Sequence, residues 1–156
     1  MNMAFAAIRV RGRPDVNVDI ERTMELMNLT RVNHCVVLQE TEAVKGMLQK
    51  AKDYITWGEI DASTLANMIK VRGRLTGDVT VTDEYVKANT EFATVDEMAK
   101  AMIASGYRMK DVEGAKAVFR LHPPAKGYEG IKRSYPNGGA LGYRGKAINE
   151  LIARML

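Results

Sequence analysis

Six Lys/Arg, six Gly, three Pro and three Tyr crowd into residues 119–146, FRLHPPAKGYEGIKRSYPNGGALGYRGK, with Glu129 as the one acid. These residue types suit adhesion to a polyanion rather than turnover. Lys126, Lys132, Arg133, Arg144 and Lys146, with Arg120 at the start of the run, supply charge for phosphates. Glycine lets the backbone come close to a sugar-phosphate surface. Tyr128, Tyr135 and Tyr143 offer faces on which unpaired bases stack, and His122 can stack or hydrogen-bond beside them. The segment reads as a basic arm, flexible when alone and ordered on an anionic partner. Its charge is local: residues 1–118 hold sixteen Lys/Arg against seventeen Asp/Glu, whereas residues 119–156 hold seven against two. A field concentrated in this way recruits anions, whereas the same net charge spread evenly would only aid solubility.

A second basic group, Arg9, Arg11 and Arg13, lies where an apolar strand runs into a Gly/Pro loop. Alternation puts the three side chains on one side of an extended segment, and Arg9, opposite Ile8 and Val10, is expected to face solvent. Arginine rather than lysine favours planar, bidentate contact with phosphate. The neighbours His34 and Cys35 suggest a thiol nucleophile and its base. On a strand, however, adjacent side chains point to opposite faces, so a buried, inert Cys35 is the better reading.

The rival function is a small nucleotide-binding enzyme built on GGALGYRGK. A phosphate loop of that kind needs G-x-x-x-x-G-K-[ST] between a strand and a helix. Here the glycine spacing differs, Ala147 follows Lys146, and the HPP triplet interrupts any strand before it. With one cysteine and two histidines the chain cannot build the usual four-ligand zinc site, and no metal or cofactor is expected. No apolar run approaches the ~20 residues of a membrane span, so a soluble, cytoplasmic protein without membrane contact is expected.

The elements that must hold these residues follow from periodicity. Residues 3–10, 32–38 and 54–58 read as strands, and 18–29 and 42–53 as amphipathic helices. The order is strand, helix, strand, helix, strand, with the two helices on one face. Between 59 and 115 the pattern changes to short helices, 62–73, 82–90 and 94–106, with Thr94 and Asp96 as start signals and Gly106 as the stop. A strand at 117–121 returns before the arm, and a last helix covers 145–155. Met24, Met27, Met47, Met68, Met98 and Met102 fall on helical faces that suit core filling. The organisation expected is a core over 1–58, a helical insert over 59–115, and a C-terminal unit over 116–156.

The run RVNHCVVLQETEAVKG over 31–46, flanked by DIERTMELMNL and MLQKAKDYITWGEI, resembles the signature of the ribosomal protein thirty family of the large subunit, whose eukaryotic counterpart is numbered seven. The arm, FRLHPPAKGYEGIKRSYPNGGALGYRG, is similar to the C-terminal extension of its archaeal and eukaryotic members. The resemblance implies an α+β, ferredoxin-like fold: a small antiparallel sheet with helices on one face, carrying the insert and the arm. It implies a structural constituent of the large ribosomal subunit, without catalysis, that contacts large-subunit ribosomal RNA, 5S ribosomal RNA and neighbouring ribosomal proteins. Positions matching the family pattern for RNA contact are Arg9, Arg11, Arg13, Arg31, Asn33, His34, Lys45 and the arm.

Overall fold

The structure, a computed structural model, describes residues 4–12, 14–105, 108, 112 and 114–156. Arg13 and the expected helix stop at Gly106 lie outside the described residues. Strands are β1 (Ala4–Arg9), β2 (His34–Gln39), β3 (Ile55–Glu59), β4 (Phe119–Arg120), β5 (Gly130–Ser134) and β6 (Gly139–Tyr143). Helices are α1 (Val18–Leu26), α2 (Glu42–Lys50), α3 (Ala62–Arg72), α4 (Asp83–Asn89), α5 (Val95–Ala104) and α6 (Ala147–Met155). The α+β reading and the first five elements hold, with ends that differ by a few residues. Local chemistry explains several of the starts: Thr41, Thr82 and Thr94 each accept a hydrogen bond from the backbone N–H three residues on, the ordinary N-cap arrangement.

The six strands are ordered β4-β2-β1-β3-β6-β5. β1 is antiparallel to both β2 and β3, with Ile8 opposite Cys35 and Arg9 opposite Ile55. The sheet is mixed rather than wholly antiparallel, because β6 joins β3 in parallel, Thr56 opposite Gly142. Helices cover both faces. Phe5, Ala7, Val36, Ile55 and Trp57 pack with Met24, Met27 and Leu48 of α1 and α2. Ala4, Ala6, Ile8, Cys35 and Phe119 pack on the other side with residues of α3, α5 and α6, among them Leu65, Ile69, Met98 and Leu151. The short helices between 59 and 115 therefore build the second layer of the core. This double cover is why β1 reads AFAAI without polar alternation: a strand buried on both faces has no solvent side.

Part of the arm is folded into the sheet. β6 hydrogen-bonds beside β3, and a 3-10 turn at Tyr135–Asn137 links it to β5, which pairs with it through a register shift. Two glycines make this packing possible. A Cβ at Gly139 would lie 2.1 Å from the carbonyl oxygen of Arg133, and one at Gly58 only 1.9 Å from that of Gly145. Glycine thus serves backbone-to-backbone contact within the chain at these two positions.

Candidate nucleic-acid interface

Strand direction divides the candidate residues between two ends of the sheet. The C-terminus of β1, the N-terminus of β2, the C-terminus of β4 and the N-terminus of β6 meet at one end. There His34 stands opposite Arg120 on neighbouring strands. Val10 packs with Ala140, Leu141 and Tyr128 at the same end. This end gathers Arg11, Arg31, His34, Arg120, His122 and Lys126, while β5 carries Lys132 and Arg133 and the turn after it Tyr135. Lys45, Tyr143 and Lys146 sit at the opposite end, where β2, β3 and β6 lead into or face the starts of α2 and α6.

The most accessible part is β5. All of Gly130–Ser134 is exposed, and so is the turn through Gly138. Lys132 and Arg133 make no ion pair with a described residue, and the stretch from Gly130 to Gly138 contains no acid. Its root is held firmly. Arg144 hydrogen-bonds through Nε to Thr56 Oγ1 and through Nη2 to the carbonyl of Ala140, both at 2.8 Å, and lies 3.6 Å from Glu129. The Tyr135 ring covers its guanidinium at 5.0 Å, and Arg154 meets the same Glu129 at 3.4 Å.

Three expectations from the sequence change here. Arg9 does not face solvent: it is wholly buried, with Nη1 and Nη2 on both oxygens of Glu21 and further bonds to the carbonyls of Arg11 and Leu29. α1 closes over that face of the sheet, and Glu21 in its first turn supplies the counter-charge. Arg144 is likewise buried, with its donors spent on the β6 root, so neither guanidinium is open to a phosphate. Asn33 and Tyr128 bind each other instead of standing free: the tyrosine hydroxyl donates to Asn33 Oδ1 at 2.6 Å, and burial pushes that hydroxyl's pKa up. Asn33 also holds a left-handed φ of 68°, while its backbone N–H and C=O tie β1 to the residue after β4. These pairings were unreadable from the sequence, because partners such as Asn33 and Tyr128 are far apart along it.

His34 flanks an open recess of about 360 Å³ that also contains Thr30, Lys116 and Arg120. Its Nδ1 is buried without a hydrogen-bond partner among the described residues. Burial, then the charges of Arg120, Arg31 and Arg9, hold its pKa below the usual 6.5. Asp78 is the local acid, bonded to Lys116 at 2.8 Å and 4.0 Å from Arg120. Arg11 lies over the Tyr54 ring at 5.2 Å, partly exposed.

The enzyme reading finds no geometry to support it. Cys35 is completely buried, and burial pushes its thiol pKa up, away from a reactive thiolate. The glycine segment forms β6, so it pairs with β3 instead of arraying free amides around a phosphate.

Residues 5–55 match the family described as ribosomal protein L30p/L7e. Over 152 residues, 97% of this chain and 99% of the relative, the chain is 52% identical to the large ribosomal subunit protein uL30 of Methanobrevibacter smithii. Similarity to the proteins of the same name from Methanosphaera stadtmanae and Archaeoglobus fulgidus is 49% over 152 residues and 48% over 151, again covering 97% of this chain and 99% of each relative. The match includes the exposed basic turn as well as the β1–β3 core, and the chain belongs to the uL30 family of ribosomal proteins.

Proposed function

We propose that this chain is a structural constituent of the large ribosomal subunit that holds ribosomal RNA at one end of its sheet. Family membership supports the ribosomal, non-enzymatic role and a place in the cytoplasmic ribosome. The observation that carries RNA contact is the acid-free β5 and its turn, exposed at every residue from Gly130 to Gly138 and rooted in the sheet by Arg144. Lys132 and Arg133 neutralise phosphates there, and Lys126, Arg31, Arg120, His122 and Arg11 extend the contact across the strand ends. Tyr135 presents a partly exposed ring for stacking, and Arg13, expected from the sequence to touch phosphate, lies outside the described residues. The finer reading is that 5S ribosomal RNA is touched as well as the large RNA. It rests on the likeness of the C-terminal segment to the archaeal and eukaryotic extension.

Binding to transcripts of 5S RNA and of large-subunit fragments, measured across a salt series, tests this function. Phosphate neutralisation predicts that log affinity falls linearly with log salt, with a slope of about −0.7 to −0.9 for each phosphate contacted. A flat profile would sink the mechanism, and a 5S transcript no better than unrelated RNA would remove the 5S contact.

A further inference from the structure

The opposite end of the sheet carries a groove of different character. About 410 Å³ in volume, it opens on the α2 side between the ends of β2, β3 and β6. Phe5, Trp57 and Tyr143 form its apolar walls, and Glu40 and Glu59 are its acids. Tyr143 is half exposed, and its ring tilts 49° to that of Trp57 with centroids 6.3 Å apart. Lys45 is the one cation among the lining residues, already shared between Glu40 at 3.2 Å and Glu42 at 3.8 Å. Glu59 accepts the Tyr143 hydroxyl at 2.5 Å and has no ion pair with a described residue. On a chain of net charge +4, this recess is locally acidic and aromatic.

That combination repels phosphate. It suits a planar cation, which gains from the face of an aromatic ring and from carboxylates beside it. We propose that the groove receives an arginine side chain from a basic segment of a partner protein, the guanidinium lying on the Tyr143 ring and pairing with Glu59 and Glu40. The Tyr143 hydroxyl supports the electrostatics: its bond to Glu59, burial and the nearby Glu40 push its pKa up to about 12. Lys45 then holds Glu40 in place until the guanidinium displaces it. The groove takes Lys45 and Tyr143, expected from the sequence to touch RNA, but it shares no residue with the RNA contact proposed above, which lies at the other end of the strands.

Trp57 is the single tryptophan, so its emission reports on this groove in the full chain. The probe is the blocked pentapeptide Gly-Arg-Gly-Arg-Gly, compared with its citrulline analogue, which keeps the shape and loses the charge. The arginine peptide is expected to give a saturable change with a dissociation constant of about 1 mM or tighter at low salt, and the citrulline peptide none. Replacing both carboxylates, Glu40→Gln with Glu59→Gln, weakens binding about fivefold or more, whereas Lys45→Gln tightens it about twofold by freeing Glu40. Equal responses to the two peptides, or no saturable change in the unaltered chain, would overturn the proposal without relying on any variant's folding. A single-stranded RNA that shifts Trp57 emission at lower concentration than the peptide would make RNA the occupant and overturn it equally.

Discussion

Two buried guanidiniums show how far a residue's type can mislead about its task. Arg9 has the sequence setting of a phosphate contact and the structural setting of a core ion pair. Removing it takes from Glu21 the guanidinium that meets both its oxygens and strips a core ion pair beneath α1, so Arg9→Met should lower stability by about 3 kcal/mol, read as a shift in the urea midpoint, without changing RNA affinity of the folded fraction. Arg133→Ala should do the reverse: stability within about 0.5 kcal/mol of the parent, and a salt slope smaller by about 1. His34 adds a pH signature. Its folded pKa lies below 6.5, so its contribution to stability is present above that pH and is lost as pH falls through the folded value. Urea unfolding followed from pH 7.5 down to about 5 should show this loss, and His34→Gln should flatten that part of the profile. The sequence showed where arginine stood but not what stood opposite it, because Glu21 reaches Arg9 only once α1 lies across the sheet.

Among elements, most helices were readable because they carry their own evidence: Thr caps at α2, α4 and α5, and acids in the first turns of every helix but α3, which apolar spacing alone announced. β6 carries almost none. Its sequence, GALGY, has no β-branched residue, and it becomes a strand because its glycines let it lie against Arg133 on one side while β3 offers a free edge on the other. The α6 connection imposes the same demand on β3. Gly58→Ala would drive a methyl group into the Gly145 carbonyl, and a loss of about 2 kcal/mol or more is expected. Gly46→Ala, in α2 with open space around the position, should instead gain about 0.5 to 1 kcal/mol. Thermal melts of the two variants side by side test whether close backbone approach, rather than a general cost of losing glycine, governs position 58.

At the scale of the molecule, charge is sorted by strand direction. Cations gather where β1 and β4 end, and the acidic aromatic groove lies where β2 and β3 end. One sequence feature did forecast this polarity, the surplus of base in the C-terminal segment. Which end of the sheet would receive it depended on the parallel pairing of β6 with β3, a contact between residues 86 positions apart at Thr56 and Gly142. That late pairing also bears on how the chain is made. Everything up to β4 can assemble while β3 still shows a bare edge, because the strand that covers it follows β4 in the chain. Until then the nascent protein carries an adhesive flank of unpaired amides and carbonyls, the kind of surface that seeds aggregation. Chains cut short before Gly139, which lose α6 as well, should therefore clump even though β1 to β4 are all present, and light scattering of such chains beside the full one checks whether β6 seals that edge.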